Sequence, residues 1–263
     1  MSQNPQEVVA RVGRIFGEGF EVSEGQVIPN LTDLAVRANE GRKLELAMLF
    51  VDIRSSTFLV DAVTRTTAAK MYKSYLWGVA KIVRANGGEV ASYNGDGVLC
   101  AFAGNAKCTM AALTAMHLGW LGTQVIRPHM EQIFAGNHQL AEAQFHLGIG
   151  IDVGDVLVIR AGIRGEDNNE LVWVGSPTNF AAKLAGMSTD SHWIHVFDDF
   201  YGRLNPIAKH DMNGNTIWEK VGQESSMYRC GLWMRTDVQG RAPASPSRRR
   251  LPGQPQAPNP FRR

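Results

Sequence analysis

The chain is poor in cysteine, in one-sided charge and in long apolar runs, and each shortage excludes a class of protein. Three cysteines (Cys100, Cys108, Cys230) form no CxxC pair and are odd in number, which argues against a disulfide framework or a zinc site. No stretch approaches the roughly 18 uncharged apolar residues of a membrane span. The first residues, MSQNPQEVVARVGR, lack the apolar stretch of a secretory signal, so a cytoplasmic protein is expected. Net charge is only +2 over 263 residues, but it is unevenly spread. Beyond residue 235 there are six arginines against Asp237 alone, about +5, which leaves the rest near −3. A mildly acidic body with a basic tail does not suggest nucleic-acid binding. At 44% hydrophobic, the chain can bury a full core.

Three regions are expected. Residues 1–43 read as a helical leader, with Val8, Val9, Val12, Ile15 and Phe16 at helical spacing. Residues 44–235 form the main domain. Residues 236–263 hold six of the eleven prolines and no apolar periodicity, as in a disordered tail.

Within the main domain, Leu44–Ile53 is a nearly unbroken apolar run, the pattern of a strand buried on both faces. Ser55, Ser56 and Thr57 then supply helix-start chemistry, with a helix running to about Ala85. Asn94-Gly95-Asp96-Gly97 is a hairpin turn between two short strands, followed by a helix over roughly 105–126. Two strands, 144–152 and 155–161, join at Gly154, and a short strand at 171–174 precedes a helix opened by Gly175-Ser176-Pro177. Further strands are expected at 192–196, 216–220 and 227–234. The β-α-β-β-α-β order predicts an α+β, ferredoxin-like fold with a mainly antiparallel sheet.

Asp52 ends the buried strand, and Asp96 stands in the neighbouring hairpin. Two carboxylates meeting at one sheet edge repel unless a cation lies between them, and hard oxygen ligands favour Mg²⁺ or Mn²⁺ shared with phosphate. His192 and His195, three apart in a strand, fall on opposite faces and are not a metal pair. Asp152 and Asp155 flank a turn, and Met110, Met116 and Trp120 belong to a helix face that packs the core.

These residues carry a resemblance. Phe50-Val51-Asp52-Ile53-Arg54-Ser55-Ser56-Thr57, Asn94-Gly95-Asp96-Gly97, Gly148 to Gly154 and Val174 to Leu184 resemble, in order, the motifs of the class III nucleotidyl cyclases over roughly residues 44–220. The resemblance implies a head-to-tail homodimer with composite sites. Asp52, Asp96 and the Ile53 carbonyl of one protomer would hold two Mn²⁺ or Mg²⁺ ions, and Asn179 and Lys183 of the other would be catalytic. Ser55, Ser56, Thr57, Arg164 and Lys220 would bind phosphate. Lys183 replaces the family's usual arginine, keeping its charge without its bidentate fork. At the base-selecting positions stand Ser92 and Val172, beside Tyr93 and Trp173, in neither the adenylyl nor the guanylyl pattern.

The string Asn-Glu-Leu-Val-Trp-Val-Gly and the turn Ser-Tyr-Asn-Gly-Asp-Gly look most like the bacterial Pycsar pyrimidine cyclases. That resemblance implies a lyase making cyclic UMP or cyclic CMP, with UTP ahead of CTP as substrate. It also implies an antiviral signal read by a downstream effector that meets only the product. An adenylyl cyclase with an atypical base pocket and a catalytically silent nucleotide-binding dimer remain open alternatives at this level.

Overall fold

A computed structural model describes residues 4–36, 38–135, 145–162, 169–222 and 224–235; the expectations for Arg164 and for the 236–263 tail lie outside them. Helix α1 (Pro5–Gly17) and strand β1 (Glu21–Glu24) lead into β2 (Glu40–Ile53). Two helices follow, α2 (Ser56–Asp61) and α3 (Arg65–Ala85), then the hairpin β3 (Glu89–Asn94) and β4 (Gly97–Phe102). Helix α4 (Lys107–Trp120) runs through a π-helical turn into α5 (Arg127–Phe134). Next come β5 (Leu147–Gly162), β6 (Asn169–Val174), α6 (Ser176–Gly186) and β7 (Ile194–Phe197). Short helices α7 (Asp198–Gly202) and α8 (Pro206–Lys209) precede β8 (Glu219–Lys220) and β9 (Met227–Cys230).

The strands form one sheet in the order β3-β4-β2-β5-β7-β9-β8, with β1 beside β2 and β6 beside β5. Its pairs are antiparallel except β1 with β2 and β5 with β7. This is the α+β, mainly antiparallel architecture expected from the order of elements.

Strand β2 reads as a continuous apolar run because both of its faces are covered. Ala47, Leu49, Val51 and Ile53 face the larger core, packed with Tyr75, Val79 and Val83 of α3 and with α4 residues including Met116 and Leu118. Leu44, Leu46 and Met48 face a smaller core that includes Ala181 of α6, together with Ile28 and Leu34 from the leader. Helix α6 lies flush on β5: a side chain on Gly150 would meet the Ala181 carbonyl oxygen at 2.0 Å. Only a residue without Cβ admits so close an approach.

Several boundaries differ from the expectation. The leader is helical in α1 and in a short 3-10 turn at Leu31–Asp33; β1 pairs in parallel with the start of β2, which begins at Glu40 rather than Leu44. The helix expected up to Ala85 is interrupted after Asp61, because the Thr64 side chain accepts the Thr67 amide and opens α3 as a separate helix. The two strands thought to meet at Gly154 are one continuous β5, which pairs with β2 from Gly41 to Ile53. Long-range pairing overrides the break that a glycine suggests locally.

His195 of β7 pairs with Gly150 and Arg229, is 3% exposed, and has a buried Nδ1 without a partner. Burial foremost, then the nearby positive charge of Arg229, lowers its pKa to about 4. The unfolded chain therefore takes up this proton first on acidification. His195 contributes stability that is present above about pH 6.5 and lost towards pH 4. The difference in unfolding free energy between wild type and His195→Asn should change by roughly 3 kcal/mol across that window, read from urea midpoints at each pH.

Candidate active site

Strand β2 outruns one of its neighbours at the site. Its pairing with β4 ends at Val51 opposite Val98, while its pairing with β5 continues to Ile53 opposite Leu147. The Asp52 side chain therefore stands where β4 has already turned into the Asn94–Gly97 hairpin that carries Asp96. Gly95 makes that turn at a φ of 66°, a conformation in which glycine carries no Cβ penalty.

The structure brings Asp52 and Asp96 close enough for each carboxylate to act on the other. Burial foremost, then Asp96, raises the Asp52 pKa to about 7, against the pull of the Ile53 amide and the Arg54 charge. The Ile53 N–H donates to Asp52 Oδ1 at 3.0 Å. Asp96 Oδ2 is buried with no hydrogen-bond partner. Two half-buried carboxylates facing each other, one with an orphaned oxygen, fit a divalent cation better than they fit each other. Among the described residues no cluster of three or more His, Cys, Asp or Glu side chains forms. Two carboxylates leave most of an octahedral shell to backbone, water and phosphate oxygens, the pattern of an ion bound together with a nucleotide.

Past Ile53, Ser55 takes a left-handed conformation (φ 53°, ψ 36°) and leads into α2. It is the one non-glycine residue with positive φ among those described. Strain of this kind persists where surrounding structure imposes it. Here Arg54 is held on both sides of Ser55's entry: its amide donates to the His146 carbonyl at 2.9 Å and its guanidinium to the Gly186 carbonyl at 3.2 Å. Ser56 and Thr57 open α2, with Ser56 half-buried and Thr57 exposed.

Other candidates are not gathered there. Asn179 and Lys183 share one exposed face of α6, with Lys183 Nζ 5.4 Å from the centre of the Phe180 ring. The charges acting on Asp52 are those of Asp96 and Arg54, not Lys183. Lys220 is exposed on β8, at the far end of the sheet from the β3–β4 hairpin. Ser92 is half-buried and Tyr93 exposed on β3, just past a bulge between Val90 and Ser92. Val172 is exposed on β6, whereas Trp173 fills the smaller core with its Nε1 unpartnered. The alternation of β6 sends these two neighbours to opposite faces. Arg160 of β5 is held internally by Asn169 at 2.6 Å and the Leu34 carbonyl at 3.1 Å.

Two groups beside the carboxylates escaped the sequence reading. Tyr72 lies within electrostatic reach of Asp96 and Asp52, and the Tyr75 hydroxyl donates to the Val51 carbonyl. The available signal was a tyrosine within the apolar stripe Met71, Tyr75, Val79, Ile82, since a buried phenol needs a polar partner. The thiols offer no rival chemistry: burial pushes Cys108 and Cys230 up to about 11. Among the described residues no helix is long and apolar enough to cross a membrane.

Comparison with known proteins bears on this geometry. No protein-family model matches the chain. It is 34% identical over 227 residues to a uridylate cyclase of Xanthomonas perforans, covering 85% of this chain and 94% of that protein. It is 32% identical over 228 residues to a uridylate cyclase of Burkholderia cepacia, covering 86% and 93%. The chain belongs to the uridylate cyclase family. Its fold is that of the class III cyclases. An adenylyl cyclase from P. aeruginosa superposes with a TM-score of 0.54 at 19% identity, over 76% of this chain and all (100%) of that one. A guanylyl cyclase superposes with a TM-score of 0.52 at 19% identity, over 75% and 96%. As a member of this family the protein is a nucleotide cyclase, a phosphorus–oxygen lyase.

In the metal-free cyclase the Asp52 carboxyl holds its proton more tightly folded than unfolded. Its contribution therefore favours the fold at low pH and is lost as pH rises from about 4 through about 7. Asp52→Asn should raise the stability of the protein at pH 8 by roughly 2–3 kcal/mol, once the partial exposure of the carboxyl is allowed for, as seen in urea denaturation.

Proposed function

We propose that this protein converts a pyrimidine nucleoside triphosphate, UTP ahead of CTP, to its 3′,5′-cyclic monophosphate and pyrophosphate. The reading is carried by the Asp52–Asp96 pair, set in a chain whose relatives at 28–34% identity are uridylate cyclases. The cyclic product would act in the cytoplasm as a second messenger in antiphage defence, recognised by a separate effector.

The working unit is a head-to-tail homodimer. Its support is the separation within one protomer: Asp52 and Asp96 converge at one place, while Asn179 and Lys183 face solvent on α6. In the dimer, Asp52, Asp96 and the Ile53 carbonyl of one subunit hold two divalent ions, Mn²⁺ or Mg²⁺. When bound, such ions neutralise the triphosphate and acidify the ribose 3′-hydroxyl. The amides of Ser55, Ser56 and Thr57 orient phosphate oxygens. From the other subunit, Asn179 orients the ribose and Lys183 balances charge that builds on the α-phosphate, while Arg164 and Lys220 hold the β- and γ-phosphates. These residues position the 3′-oxygen for in-line displacement of pyrophosphate, with little demand for a side-chain base.

Base selection falls to Ser92, Tyr93, Val172 and Trp173. Tyr93 offers an exposed ring for stacking, and the Ser92 hydroxyl a hydrogen bond to a small base. The Trp173 ring is committed to the smaller core and its unpartnered indole N–H is buried with it, so of these four residues it offers a base no exposed group. A purine lacking the partner these groups require leaves one of them unpaired.

Purified protein given each of the four nucleoside triphosphates with Mn²⁺ should form cyclic UMP fastest, as identified by product mass. Cyclic AMP formed faster than cyclic UMP would replace the pyrimidine reading, and nucleotide binding without pyrophosphate release would replace the enzymatic one. Asp96→Ala and Asn179→Ala should each lose at least about 100-fold in kcat. Mixing the two variants should restore up to a quarter of wild-type activity, because half of the dimers formed at random are mixed and each has one intact site. No recovery in dimers shown to be mixed would rule out the shared site.

A further inference from the structure

The end of β2 that carries the metal-binding groups is held from beneath by one side chain of α3. Val51 is the last β2 residue paired with β4, and Asp52 and Ile53 continue with β5 alone. On the β4 side the strand is thus unsupported just where two groups must be placed to fractions of an ångström. Tyr75 reaches this place from the larger core. It is fully buried, its ring packs edge-on against Phe145 at 6.3 Å, and its hydroxyl donates to the Val51 carbonyl at 3.1 Å. That carbonyl belongs to the peptide whose nitrogen is that of Asp52, so holding it fixes the plane from which the Asp52 side chain departs. Phe145 in turn lies two residues before Leu147, the β5 partner of Ile53. The same aromatic contact therefore ties both strands at this end.

We infer that Tyr75 is a positioning residue for the metal-binding end of β2, setting through the Val51 carbonyl where the Asp52 carboxylate and the Ile53 carbonyl stand relative to Asp96. The inference rests on the proposal that these three groups hold divalent ions. Groups that orient ligands without touching the ion typically change affinity or activity 10–100-fold when removed. A tyrosine that served only as core packing would alter stability and leave ion affinity alone.

The test is Mn²⁺ binding to the full-length, metal-free protein without nucleotide, followed by the electron paramagnetic resonance of free Mn²⁺. Tyr75→Phe deletes one oxygen and keeps the ring, and near-ultraviolet circular dichroism checks that the variant is folded. Its Mn²⁺ dissociation constant should rise about 10-fold or more. In turnover the loss should appear as a higher Mn²⁺ requirement, largely recovered at saturating metal. Replacement of Tyr75 by 4-aminophenylalanine, which keeps a weaker donor at the same place, should give a smaller loss in the same direction. A folded Tyr75→Phe protein with affinity within twofold of wild type overturns the inference, as does an amino variant with unchanged affinity should Tyr75→Phe fail to fold. Asp52→Asn separates this outcome from failure of the metal reading. If Asp52→Asn binds Mn²⁺ as wild type does, the metal assignment itself is wrong; if it loses binding while Tyr75→Phe keeps it, only the role of Tyr75 is.

Discussion

Two like charges forced together at the end of a buried strand are the constraint around which this molecule is arranged. Left to itself, such a pair separates or takes up a proton, and Asp52 is held protonated up to about pH 7. Keeping it requires a rigid strand end and a tight hairpin, each anchored elsewhere. Strand β2 is anchored by its long pairing with β5 and by the larger core, and the hairpin by β4, buried along its whole length. The stability given up at the carboxylates is supplied by apolar burial well away from them, which leaves a carboxylate pair suited to a divalent cation.

The two faces of the sheet divide the labour. The larger core, with α3 and α4, gives a stiff support whose residues are chosen for packing. The other face carries α6, seated directly on β5 through Gly150, with a polar edge left in solvent. Among the described residues, Asn179 and Lys183 on that edge are exposed and lie apart from the Asp52–Asp96 pair. A helix so closely fixed to the sheet that presents its functional residues outward is suited to complete a site on another copy. In the proposed dimer the geometry of the shared site would follow from how two such rigid chains meet.

Much of this was legible in the order of residues. The apolar run ending in Asp52, the turn glycines around Asp96 and the proline-led helix of Asn179 are local signals, because strand burial, turn conformation and helix starts depend on residues near one another. Boundaries resting on distant partners were not: the early start of β2, its parallel partner β1 and the unbroken β5 follow from pairings between segments far apart in the chain. Val172 and Trp173 show the limit at the site. Adjacent in sequence and equally plausible around a base, they part to opposite faces of β6, and only one remains open to solvent.

The amino-acid order by itself determined which chemistry is possible here: paired carboxylates, a phosphate-suited serine–threonine turn, and a base pocket with neither purine pattern. It did so because those properties reside in residue types and short spacings. Only the tertiary structure decided that Asp52 and Asp96 face each other with one oxygen unpartnered, that Tyr75 grips the peptide ahead of Asp52, and that Trp173 is spent on packing. Those facts arise where strands of unequal length end beside a helix from elsewhere in the chain, and close packing, which no local pattern encodes, fixes what each side chain meets.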